Sequence, residues 1–238
     1  MITSLRHPLT RALLLLTFST GLVDAASYLG LGRVFSANMT GNIVLLGFGI
    51  AGSVGLPVVA PLVSLGAFLL GAGLAGIVIS RLGEHQRRLF LSALAAETAL
   101  LFVATLFAAL VHVRALAASG DAVVAMLALA MGIRNATVKT LAVPDLTTTV
   151  LTMTLTGLAS ESRIFGGSGK GTARRVAAVA SMLFGALCGA LLLKTSLALV
   201  LGVATVLAGL TMLGYRALAD PDPDPVRSGA TRPAPSEG

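Results

Sequence analysis

GLVDAASYLGLGRVFSANMTGN, Gly21–Asn42, decides the fold. It interrupts a long apolar run with Asp24, Ser27, Tyr28, Arg33, Asn38, Thr40 and Asn42, at a depth where lipid offers no hydrogen bonds. A partial echo lies in GIRNATVKTLAVPDLTTT, Gly132–Thr149. Asp24 in DAA sets against Asn135 in NAT, and Asn38-Met-Thr sets against Asp145-Leu-Thr a few residues out of step. Each polar block leads into another apolar run, Ile43–Gly47 and Val150–Thr154. An internal repeat is therefore weighed first, because it sets the architecture.

Outward from these two blocks the chain is apolar. Hydrophobic residues make up 55% of the 238 and charged residues 11%, with a mean hydropathy of +0.92. Soluble domains carry about 25% charged residues. Six segments suit a bilayer: Ala12–Leu31, Val58–Ser80, Leu89–His112, Asp121–Ala142, Ala173–Leu193 and Ser196–Tyr215. The reading is an all-helical, multi-pass membrane protein whose first partner is the lipid bilayer.

The net charge of +7 would suggest nucleic acid in a soluble chain. Here the basic residues sit in short loops, as the positive-inside bias requires, and no nucleic-acid partner is expected. Cys188 stands alone in an apolar helix, so there is no disulfide or cysteine-based metal framework. MITSLRHPLTR begins as a signal peptide does, but Ala12–Leu31 exceeds the usual apolar core and lacks a convincing processing site. It is read as the first span.

Asp24 at a helix centre costs about 2.5 to 3.5 kcal/mol to insert, and the surrounding Leu, Phe and Val residues roughly offset that. The segment inserts with Asp24 turned toward protein or water. Met39–Ala51 is too short to cross and is read as a re-entrant half-helix with Asn38 at its cap. Val58–Ser80 carries Ala67, Gly71 and Ala75 at four-residue spacing, a stripe that allows close helix packing and leaves room for a homo-oligomer. In the second half, Ala122–Ile133 runs clean until Arg134, Asn135, Thr137 and Lys139 arrive. Pro144 starts a new element that Asp145 can cap, and Leu146–Ala159 with its run of threonines is the second re-entrant candidate. Residues 219–238 are expected to be a disordered cytoplasmic tail behind a single transmembrane domain of residues 1–218.

Charge decides the topology. The N-terminus, Arg81–Arg88, Arg163–Arg175 and the C-terminal Arg216, Arg227 and Arg232 are the basic clusters. If all eight apolar pieces spanned, Arg81–Arg88 would lie outside; with two re-entrant pieces, all four clusters lie in the cytoplasm. The halves, about 12–112 and 121–216, then hold three spans and one re-entrant piece each. An odd number of spans per half inverts the repeat, the plan of many secondary transporters.

VDAASYLGLGRVFSANMTGN and MGIRNATVKTLAVPDLTTTVLTMTLTGLA, together with the six spans, resemble the YoaK-like family of bacterial membrane proteins. The resemblance runs from Ala12 to Tyr215. That family is a domain-of-unknown-function family, so the resemblance implies a fold and a bacterial inner-membrane location, and no activity.

The candidate site follows from the residues. Asp24 is a protonatable group or cation ligand in a solute pathway, against a carboxylate ion-paired for packing. Asn38, Thr40 and Asn42 line a polar cavity or satisfy loose backbone at the break. Arg134 and Lys139 bind an anion or snorkel at the inner boundary. Asp145 with Thr147, Thr148 and Thr149 form a site or a capped helix start. Glu97 pairs with Arg134 or moves a proton, and Arg33 is a basic residue expected on the outer side. Ser27, Tyr28, Asn135 and Thr137 complete the set. No cofactor or metal is expected: His7, His85 and His112 are dispersed, and no Ser/His/Asp or Cys/His pairing suggests an enzyme. Gly167-Ser-Gly-Lys-Gly-Thr172 lacks the first glycine and the hydroxyl residue of a phosphate loop. The expected function is small-solute transport, with proton coupling through Asp24 and an anionic or zwitterionic solute at the helix N-termini. The alternative is a non-transporting membrane scaffold or sensor.

Overall fold

Eight helices and no strand form among the described residues of the computed structural model, which are 7–82, 85–141, 151–162, 166–169 and 171–218. Six are long: α1 (Pro8–Gly30), α3 (Val59–Leu82), α4 (Gln86–Leu110), α5 (Ala118–Leu141), α7 (Thr172–Leu193) and α8 (Leu197–Leu218). All six are long and apolar enough to cross a membrane, and they match the expected spans to within a few residues at each end. Two are short, α2 (Met39–Ile50) and α6 (Leu151–Ser160). The 12 residues of α2 rise about 18 Å, well under a ~30 Å hydrocarbon core.

Local chemistry explains where α1 begins and ends. Pro8 occupies its first turn, and His7 caps it by accepting from the Leu9 N–H through Nδ1 at 3.2 Å. At the other end the Arg33 N–H reaches back to the Tyr28 carbonyl at 3.0 Å, with Gly32 at φ +114° between them. This six-residue closure needs a left-handed residue, and glycine takes that shape without strain. The chain then turns into the break instead of extending the helix.

The spans do not share lipid equally. In α1, 72% of the most apolar window is buried, and in α5 56%, against 17–28% in the other four. The helices that carry Asp24 and Arg134 are thus the two central ones. Around them α1 lies along α7 and α3 along α5; α4 packs on α8, α8 also on α1, and α4 on α5. Each short helix rests on the span that follows it, α2 on α3 and α6 on α7.

Glycines set the two tightest crossings. A Cβ on Gly21 would strike the Met182 carbonyl, and one on Gly185 would strike the Phe18 carbonyl. The α3–α5 crossing repeats this: a Cβ on Gly71 would strike the Leu129 carbonyl, and one on Gly132 the Phe68 carbonyl. In lipid, where burial of apolar surface does not drive helix association, such close backbone approach is a main source of packing energy. The small-residue stripe of α3 is therefore used within the chain at Gly71 and Ala75, both buried. Between α4 and α8 the hydroxyls of Thr105 and Thr205 pair at 3.0 Å. At the base of α7, Arg175 bonds Glu161 Oε2 at 2.8 Å and the Gly157 carbonyl at 2.9 Å, fastening α6 and the turn after it.

α2 buries only Asn42 and exposes Ile43, Val44, Phe48 and Ile50, so its apolar remainder is suited to lipid. The expected second short piece, Leu146–Ala159, is described from Leu151 onward as α6. Asp145, Thr147, Thr148 and Thr149 lie outside the described residues, as does the tail at 219–238.

Candidate functional site

The break after α1 is held by two side chains. Asp24 Oδ1 accepts from the backbone N–H groups of Ser36 at 3.0 Å and Ala37 at 2.9 Å. Asn42 brackets Phe35: its Oδ1 accepts from the Phe35 N–H at 2.9 Å, and its Nδ2 donates to the Phe35 carbonyl at 2.7 Å. The same Nδ2 reaches Ser64 Oγ on α3 at 3.0 Å, and that hydroxyl donates to the Phe35 carbonyl at 2.7 Å. The Phe35 ring stacks on Tyr28 with centroids 4.7 Å apart. An irregular segment at membrane depth is tolerated only when its backbone is satisfied in this way. Asn38 then caps α2, its Oδ1 accepting from the Gly41 N–H at 3.1 Å.

Beside the break lies a cavity of about 100 Å³ lined by Thr20, Asp24, Ala37, Asn38, Leu151, Thr152 and Met182. It meets α1, the start of α2, the first described residues of α6, and α7. Thr20 is 12 residues into α1 (20 minus 8) and Met182 is 10 into α7 (182 minus 172). At 1.5 Å per residue these are about 18 and 15 Å along their helices, near half the depth of a ~30 Å core. Among the described residues, no basic side chain lies within ion-pair distance of Asp24.

The neighbouring charges are paired with each other. Glu97 on α4 and Arg134 on α5 form a two-pronged ion pair: Arg134 Nε donates to Glu97 Oε2 at 2.7 Å, and Nη2 donates to Oε1. Arg134 Nη1 also donates to the Leu16 carbonyl at 2.9 Å and to Thr20 Oγ1 at 2.7 Å, tying α5 to α1. Thr20 Oγ1 donates in turn to the Leu16 carbonyl at 2.9 Å. Glu97 is fully buried and Arg134 is 2% exposed. A charge so buried is tolerated only with a partner and further hydrogen bonds, and both are present.

The sequence family described as "Protein of unknown function (DUF1275)" matches residues 12–214. The chain belongs to the DUF1275 family. It is 38% identical over 145 residues to the UPF0700 transmembrane protein YoaK of Bacillus subtilis (strain 168), a stretch covering 60% of this chain and 63% of that protein. The chain therefore spans less than two thirds of that relative's length. No solved structure matches. With six apolar helices and a transmembrane relative, this DUF1275 protein is a multi-pass membrane protein.

The remaining expected residues of this DUF1275 chain fall in different places. Asp24 and Asn38 share the cavity; Asn42 clamps the loop behind it, and Thr40 is exposed. Arg134 takes the pairing held open for Glu97, its guanidinium buried between Glu97 and α1 rather than snorkelling. Lys139, one and a half turns later, is exposed. Ser27 donates to the Asp24 backbone carbonyl at 3.2 Å, and Asn135 Nδ2 to the Met131 carbonyl at 2.9 Å, both within their own helices. Arg33 is exposed at φ +59° in the turn after α1, and Thr137 lines a separate apolar cleft. Thr20, Thr152 and Met182 line the cavity and were not singled out in the sequence. A threonine in an apolar helix normally bonds its own preceding turn, as Thr20 does to Leu16, and so carries no distinguishing mark.

Proposed function

We propose that this DUF1275 protein carries a small solute across the membrane through the cavity at Asp24. The observation that carries the reading is that the first described residues of α6 and the cap of α2 meet beside a buried carboxylate, about halfway along α1 and α7. Secondary transporters build their sites where broken helices begin near the midplane. The helix pairings support an inverted repeat of α1–α4 and α5–α8, because exchanging the halves returns the same set of neighbours. The glycine crossings follow the same exchange, Gly21 for Gly132 and Gly185 for Gly71, which sets Asp24 against Asn135. In this reading α2 and α6 are re-entrant half-helices, both termini are cytoplasmic, and Asp24 couples solute movement to a proton. Asp24 already counters the start of α2 through Ser36 and Ala37, so a zwitterion suits the cavity better than a plain anion.

One observation favours the scaffold reading. Asp24 Oδ1 holds two backbone N–H groups, which is a structural task sufficient to retain a carboxylate there. Single cysteines separate the two readings. With Cys188 replaced by serine, Asn38→Cys and Thr152→Cys are exposed in vesicles to a membrane-impermeant thiol reagent from each side in turn. Transport by alternating access predicts that each reacts from both sides. Shielding of both positions from both sides would overturn it.

A further inference from the structure

A second cavity opens away from the Asp24 site. α5 packs on both α3 and α4, while α3 and α4 scarcely touch each other. The result is a cleft of about 240 Å³ with α3 and α4 as walls and α5 as floor. Leu74 and Val78 line it from α3, Ser92 and Ala96 from α4, Ile133 and Thr137 from α5. Leu74, Val78 and Ser92 are exposed, so the cleft opens on the outer surface of two membrane spans. The Ser92 hydroxyl donates to the Leu89 carbonyl at 2.8 Å, which leaves a lining that is almost entirely hydrocarbon.

Both walls end in arginine. Arg81 lies three residues beyond Val78 and seven beyond Leu74, on the same helical stripe. Arg88 lies four residues before Ser92 and eight before Ala96, again on one stripe. Arg81 rises about 4.5 Å past Val78, and Arg88 directly precedes Leu89, which also lines the cleft. Both are exposed.

We infer that this cleft binds a membrane phospholipid with an anionic headgroup, one acyl chain between α3 and α4 and the phosphate at Arg81 and Arg88. The apolar lining matches the chain and excludes a polar solute. The arginines supply the complementary charge, as basic pockets between spans do for anionic headgroups. The site is separate from the Asp24 cavity and does not depend on the transport reading.

The test uses the full-length protein, delipidated in mild detergent and offered equal phosphatidylglycerol and phosphatidylcholine, with retained lipid counted by native mass spectrometry. Each arginine near the headgroup favours the anionic lipid on the order of fivefold, so the pair gives roughly thirtyfold. Arg81→Gln with Arg88→Gln should bring that preference close to one while both lipids still bind. Ala96→Leu should reduce retention of both by filling the cleft; if it fails to fold, Ala96→Met occupies the same space with a more flexible chain. An undiminished preference in the double glutamine variant, or retention untouched by filling, would overturn the inference. Displacement of phosphatidylglycerol by equimolar inorganic phosphate would likewise overturn it, because the ligand would then be the anion alone.

Discussion

Asp24 bonds the N–H groups of Ser36 and Ala37 through one carboxylate oxygen, and an asparagine oxygen can do the same. Asp24→Asn should therefore melt at or above the parent in detergent, because a charge that is costly in the membrane is gone. Under the proposed function it loses pH-driven accumulation in proteoliposomes; a destabilised variant that kept whatever activity the parent shows would defeat that assignment. Asp24→Leu leaves both N–H groups without a partner at about 1–3 kcal/mol each, and its melting temperature should fall by on the order of 10 °C. At the neighbouring pair, Glu97→Leu strands a buried guanidinium and should cost about 3–5 kcal/mol. Adding Arg134→Met should recover most of that loss, measured as a double-mutant cycle on thermal melting. A double variant no more stable than Glu97→Leu alone would show that Arg134 acts through its contacts to α1. Sequence reading placed Glu97 and Arg134 among the candidates because charge inside an apolar run is informative. It left their pairing as one option of two, since 37 residues separate them.

Among the helices, packing rests on backbone contact at a few glycines. Gly185→Ala would push a methyl group into the Phe18 carbonyl and separate α1 from α7. Gly73, on α3, has nothing within 4 Å of the place a Cβ would take. Gly73→Ala should thus be neutral or stabilising, by up to about 1 kcal/mol of helix propensity, while Gly185→Ala lowers yield and melting temperature. Equal behaviour of the two variants in a detergent melt would refute the crossing as described. The four-residue stripe from Ala67 was legible in the sequence as a packing face. Its partner was not, and the same glycine spacing would have served a second copy of the chain equally well. α2 was legible by length, and Asn38 by its place before an apolar run, because a cap acts within one turn.

For the whole molecule, if α2 and α6 are re-entrant as proposed, the six candidate spans leave both termini and the loop at Arg81–Arg88 on one side. A C-terminal alkaline phosphatase fusion should be inactive, meaning cytoplasmic, while a green fluorescent protein fusion should glow. The opposite pattern would remove the positive-inside argument and with it the inverted repeat. The truncated chain Met1–Ala219 should insert and melt as the full chain does, since the polar, proline-rich residues after it have little to bury. Loss of folded protein from membranes on that truncation would give the tail a structural role.

Membrane insertion is decided segment by segment, by the summed transfer energies of about 20 neighbouring residues. The sequence alone therefore determined the six spans, the break between Gly30 and Met39 and the short α2. Sharing a cavity depends on how helices distant in the chain cross, and that is set by backbone approach at Gly21, Gly71, Gly132 and Gly185. Only the tertiary structure brought Thr20, Thr152 and Met182 to Asp24, turned Arg134 inward onto Glu97, and held α3 and α4 apart over α5.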